Sequence, residues 1–117
     1  MKRYRVNADR WWILEEILLG EGDPQEFNSD RDNLRGRKEM FPTSGRLTGL
    51  EKEELENYRK AGMIDYVVYS YATPIAYRIR ENDNRFQWVV IGQRFSVTTS
   101  KHQGRVRAAL HTVTHGS

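Results

Sequence analysis

Between Ile64 and Thr99 the chain repeats one pattern: short runs of Tyr, Val, Ile and Phe broken by turn-forming residues. β-Branched and aromatic side chains fit the pleated, half-buried surface of a sheet, so these runs read as strands. Ile64–Ser70 and Ile75–Arg80 are the first two. Pro74 stands between them, has no amide to give a ladder, and marks a bulge, an edge or a bend. Glu81–Asn84 is a turn, and Phe86–Ile91 pairs back as a hairpin before Gly92 interrupts it. Phe95, Val97 and Thr99 alternate with Ser96, Thr98 and Ser100, the pattern of a further half-buried strand.

Helical patterns flank this block. Asn7 is a suitable N-cap for a helix over about 8–19, in which Trp11, Leu14, Ile17 and Leu18 follow helical spacing and Ile13 widens the stripe, with Gly20 as the stop. Thr48 and Glu51 form a capping box for a second helix over about 50–61, with Leu50, Leu55, Tyr58 and Ala61 as a thin apolar stripe, Glu56 and Lys60 one turn apart, and Gly62 as its end. Ser100 and Gln103 form another box, opening a last helix lined by Val106, Ala109, Leu110 and Val113. The expected fold is therefore α+β: an antiparallel sheet of three to four strands with two to three helices on one face. Residues 1–6 read as a basic arm or a short edge strand.

A chain of 117 residues suits one domain, 1–117, with a core that needs no staples. Residues 21–46, which contain Pro24, Gly36, Pro42 and Gly45, read as a long functional or mobile loop pinned by Phe27, Leu34, Met40 and Phe41. Residues 114–117 read as a frayed tail.

The absence of cysteine excludes disulfides and thiolate metal sites. Glu15 and Glu16 break the apolar run Trp11–Leu19, which argues against a signal peptide, and no run reaches the ~18 apolar residues of a membrane span. A cytosolic protein without membrane contact is the expectation. The net charge is +3, but no acidic residue follows Asp83, while Arg85, Arg94, Lys101, Arg105 and Arg107 do. A basic end of this kind suits a polyanion or an acidic protein surface, although five basic residues over that length are also ordinary solvated surface.

Three groups of side chains bear on chemistry. Thr98–Gln103 places hydroxyls beside Lys101 and His102, a set from which a nucleophile and its base are drawn. No acid nearby would orient the imidazole, Ser100 and Gln103 are accounted for as a cap, and His102 falls near the apolar side of its helix, so a packed histidine is the better reading. The start of that helix could also receive an anion. His111 and His115 have metal-ligand spacing, but with one further histidine and no cysteine they make no metal site, and no cofactor fingerprint is present. Glu53, Glu54 and Glu56 sit on a solvated helix with no apolar pocket to raise a pKa.

Two binding surfaces stand out. Trp11, Trp12 and Leu19 on the first helix are candidates for a protein interface, with a host protein or a second copy of the chain, unless the 21–46 loop covers them. Tyr69, Tyr71, Tyr77, Trp88 and Phe95 interleave with basic residues, making Arg78, Arg80, Arg94, Lys101, Arg105 and Arg107 candidates for holding an anion or nucleic acid. Alternation along strands that bury the aromatics and wet the arginines produces the same pattern with no ligand, and no RNP, helix-turn-helix or zinc-finger signature is present.

The strings Tyr66–Ala76, YVVYSYATPIA, and Arg94–Gln103, RFSVTTSKHQ, are unusual together. With Asn33–Gly36 and Ser44–Leu47 upstream, they resemble a domain of unknown function found in small proteins of actinobacterial phages. The resemblance spans about residues 27–110, with Phe95 where the family more often shows Tyr, and leaves out residues 1–26. It implies a phage product acting inside a bacterial host, and it transfers no catalytic or ligand residue. Together these readings favour an accessory protein that binds a protein partner, with nucleic-acid binding as the alternative and catalysis third.

Overall fold

In the computed structural model, residues 3–6, 13–20, 23–29, 33–82 and 85–110 are described. Six strands, β1 (Arg3–Val6), β2 (Glu26–Ser29), β3 (Leu34–Arg37), β4 (Ile64–Ser70), β5 (Thr73–Asn82) and β6 (Arg85–Val90), form one sheet in chain order. The first pair is parallel and every other pair is antiparallel. The sheet is therefore mixed and larger than the three or four antiparallel strands expected.

The difference arises in the segment read as a loop. β2 and β3 have four residues each, Glu-Phe-Asn-Ser and Leu-Arg-Gly-Arg, too short and too charged to show an apolar period. They are strands because Phe27 and Leu34 are fully buried while Arg37 spans the pair, donating to the Phe27 carbonyl and the Asn28 amide oxygen. Phe27 and Leu34 do pin the segment, whereas Met40 and Phe41 remain exposed.

The sheet is covered on both faces rather than one. On the first, α1 (Ile13–Leu19) and α3 (Val97–Ala109) bury Leu14, Ile17, Leu18, Val106 and Ala109 against Phe27, Tyr66, Val68 and Trp88. On the second, α2 (Gly49–Lys60) contributes Leu55 to a cluster with Leu47, Ile64, Val67, Tyr77 and Ile79. That stripe is thinner than expected, since Leu50 is 81% exposed.

α2 keeps its expected bounds to within a residue but not its start chemistry. Thr48 is the N-cap without a side-chain cap bond, and Glu51 instead accepts from the Gly92 amide. Its end is a Schellman turn: Met63 N donates to Tyr58 O and Gly62 N to Arg59 O, with Gly62 at φ +69, a conformation glycine adopts without strain. Glu56 pairs with Arg59 rather than with Lys60.

The largest local correction is the Phe95–Thr99 segment, which is not a strand. Ser96 is the N-cap of α3 and its hydroxyl accepts from Thr99 N at 3.2 Å, so the helix begins three residues before Ser100. Side-chain capping outweighs a polar–apolar alternation too short to pair with anything. The Ser100–Gln103 box does not form. The Gln103 amide donates to Ile91 O and Gln93 O, at 2.9 and 2.8 Å, and ties the loop after β6 to α3. Pro74 does mark a bulge, beside the register shift between Val68 and Tyr69.

Candidate functional site

The two strings that carry the resemblance meet in space. β4 ends at Ser70, beneath the first turns of α3, where Ser70 Oγ lies 2.7 Å from His102 Nδ1 and 3.1 Å from Thr99 Oγ1. Ser96 Oγ extends the chain, 3.2 Å from Thr99 Oγ1. Ser70, Thr99 and His102 are all buried, so this is an internal polar network whose members satisfy one another.

Ser70 and His102 stand as a nucleophile and base would. Yet Ser70 is only 1% exposed, leaving a substrate no approach to Oγ. The network instead fastens the β4–β5 turn to α3. His102 is a packed, hydrogen-bonded histidine, as its place in the sequence suggested.

Burial, and then the positive charge of Arg105, hold the His102 imidazole below its ordinary pKa. A histidine whose folded pKa is depressed contributes stability above its unfolded value, near 6.5, and loses it as pH falls, because the unfolded chain takes up the proton first. The melting temperature should therefore drop on acidification from about pH 7 toward the folded pKa. In His102→Asn, whose side chain does not titrate, that part of the slope should vanish. A pH profile of melting identical to the parent's would refute the assignment.

Outside this network lies Tyr71, the one non-glycine residue at positive φ (+56) among the described residues. The residue is 49% exposed, and its ring centroid is 6.3 Å from that of His102. Arg105 follows His102 by three residues and Lys101 precedes Arg105 by four, so the two cations fall on neighbouring strips of the helix, one flank away from the buried face. Both are exposed. Arg107, about 140° around the helix from His102, faces the other way. Arg94 is exposed in the loop before α3.

Arg78 and Arg80 belong elsewhere. Arg78 is 7% exposed; its Nε and Nη2 donate to the two carboxylate oxygens of Asp65 at 3.0 and 2.8 Å, and Nη2 reaches Asp23 at 3.2 Å. Burial works against its charge, but these carboxylates more than offset that and raise its pKa. Arg80 Nε lies 3.4 Å from Asp65, and both guanidinium groups sit over the Phe86 ring. Arg78 and Arg80 are thus held by carboxylates within the fold.

The aromatics divide in the same way. Tyr69, Tyr77 and Trp88 are buried, as strand alternation without a ligand would have them, and Phe95 is half-buried beneath Arg46. Tyr71 alone of that set is exposed, because it lies in the turn and not in the strand. Of the tryptophan surface, Trp11 and Trp12 lie outside the described residues, and Leu19 is half-buried against the core. His111 and His115 also lie outside them; among the described residues no group of three or more His, Cys, Asp or Glu side chains is placed to hold a metal. Glu53 and Glu54 are exposed, while Glu56 is held by Arg59 and Ser44. No helix among the described residues is long and apolar enough to cross a membrane.

The family whose model matches, over residues 26–114, is described as a family of unknown function (DUF8033). No curated protein and no solved structure matched.

Proposed function

The chain belongs to this family of unknown function, and from that premise we propose that it acts by binding a polyanion, nucleic acid foremost, at the surface where Tyr71 lies beside His102 on α3, the helix that also carries Lys101 and Arg105. One observation carries the reading: an exposed tyrosine whose ring centroid lies 6.3 Å from that of His102, on the helix that presents Lys101 and Arg105. The sequence around α3 adds to it, with Lys101 and Arg105 and no acidic residue beyond Asp83. Cations beside an exposed ring offer phosphates a charge and bases a stacking face. Binding is favoured over turnover because the hydroxyl–imidazole pair among the described residues, Ser70 and His102, is buried.

The test is a titration of fluorescently labelled DNA and RNA across a salt series. Affinity should fall steeply with salt. Lys101→Ala with Arg105→Ala should weaken binding and lower the log–log slope by about 0.7–0.9 for each phosphate no longer neutralised. No binding at low salt would end the proposal.

A second reading is favoured by a different observation. Phe41 is 66% and Met40 47% exposed, on a segment fastened to α2 by the bond from Arg59 to the Pro42 carbonyl. Exposed neighbouring apolar side chains suit a protein partner, in keeping with an accessory protein that engages a host protein or a second copy of itself. It takes precedence if the titration above shows no nucleic acid bound. The resemblance of the two strings to actinophage proteins supports, under either reading, a phage-encoded product working in the cytoplasm of a bacterial host.

A further inference from the structure

Resting on the polyanion reading, we infer that the ligand is a single-stranded nucleic acid and that Tyr71 is the platform on which an unpaired base stacks. Ser70 pairs with Thr73, so β4 and β5 are joined by two residues, Tyr71 and Ala72. The first position of such a turn, at φ +56, is one that glycine or asparagine fills without strain and a tyrosine does not.

The surrounding structure holds the strained residue from both sides. Tyr71 N donates to Asn33 O at 2.7 Å, and Tyr71 O accepts from Arg35 Nη2 at 2.9 Å. Neither bond uses the side chain, so a glycine would make both and close the hairpin at lower cost. What tyrosine adds is the ring, on a residue about half exposed to solvent. Strain maintained at an exposed side chain points to a use for that side chain.

Its position says which use. The ring stands beside His102, with Arg105 one turn further along the same helix and Lys101 adjacent in sequence. A base laid on the ring would lie against the helix that carries those two cations, whose charge attracts its backbone phosphates. Bases in a duplex already have both faces covered by neighbouring pairs, so only an unpaired base can take this place.

The experiment compares a labelled oligo(dT), the same strand with abasic sites, and a duplex of equal length, by fluorescence anisotropy at low salt. The variants are Tyr71→Gly and Tyr71→Trp. Tyr71→Gly should melt at a higher temperature than the parent, since it relieves the turn, yet bind oligo(dT) roughly five- to a hundredfold more weakly. Its affinity for the abasic strand and the duplex should not change. Tyr71→Trp should retain the preference for oligo(dT). If Tyr71→Gly binds all three probes as the parent does, or weakens all three equally, the inference is overturned while salt-sensitive binding through Lys101 and Arg105 stands. If the parent binds none of the probes, the polyanion reading falls and takes this one with it.

Discussion

Replacing Arg78 with alanine should lower the stability of the fold by about 2–4 kcal/mol, somewhat under the usual cost of breaking a buried ion pair because one partner stays wet. The guanidinium side chain is 9% exposed and makes a two-pronged contact with Asp65, whose side chain is 20% exposed. Asp23, at 60% exposure, is screened by solvent and adds little. Once Arg78 is gone, the Asp65 carboxylate keeps, among the described residues, Arg80 at 3.4 Å, and the Phe86 ring is without the guanidinium 4.1 Å from its centroid. In a chain of this length the melting temperature should fall by roughly 10 °C. A cycle of Arg78→Ala, Asp65→Ala and the double variant should return a coupling energy of about 1–3 kcal/mol. The same variant separates two roles for this arginine. Were Arg78 a phosphate ligand, its removal would weaken DNA binding and leave melting unchanged. The structure predicts the reverse, and a variant with parental melting and reduced salt-dependent binding would return Arg78 to the nucleic-acid surface.

Arg78 and Arg80 alternate with apolar neighbours, as solvated residues of a strand do, and a sequence offers no further clue to their role. Their neutralisation depends on Asp65, which comes alongside only once β4 pairs with β5. Register across a bulge is a tertiary fact, and no window along the chain contains it. Elements whose signal is local were legible. β4 has the expected limits, α2 is displaced by a residue, and Gly62 ends it by a mechanism written in the residue type. The short strands β2 and β3 were not legible, because their place comes from Phe27, Leu34 and the bridging Arg37 rather than from an apolar period. At the start of α3 two local signals competed, and the cap at Ser96 prevailed over alternation.

The candidate site was legible in parts. Lys101 and Arg105 stand out by charge alone, and they are exposed on α3. Tyr71 did not stand out from four other aromatics, because Pro74 drew the turn into a four-residue gap between the strands. The true connection is two residues long, and that length decides which side chain is left outside. The convergence of Ser70 with Thr99 and His102 spans about thirty residues of sequence, and only the packing of α3 over the end of β4 reveals it.

Gly36→Ala should destabilise the protein at or beyond the upper end of the usual ~1–3 kcal/mol for an overpacked core. Gly36 lies in β3 between Phe27 and Val68, and a Cβ at this position would run into the Tyr66 hydroxyl and the Phe27 ring. Neither can give way cheaply. Tyr66 is fully buried, its hydroxyl donates to Gln25 O at 2.6 Å, and its ring packs edge-on against Trp88 with centroids 5.7 Å apart. Burial raises the pKa of that hydroxyl, so the proton it donates stays in place at any pH the fold survives. Phe27 is fully buried on the other side. The absent side chain at Gly36 is therefore what lets β3 close on the aromatic layer, and conformational freedom plays no part, since Gly36 is not among the residues at positive φ. Tyr66→Phe alone should cost about 1 kcal/mol, by leaving the Gln25 carbonyl without its donor. Combined with Gly36→Ala it should recover part of the stability, because it removes one of the two obstructing groups, so the pair should be less destabilised than the sum of the singles. Urea denaturation of the four proteins measures this, and a Gly36→Ala variant with the parental midpoint would show that β3 does not need the close approach.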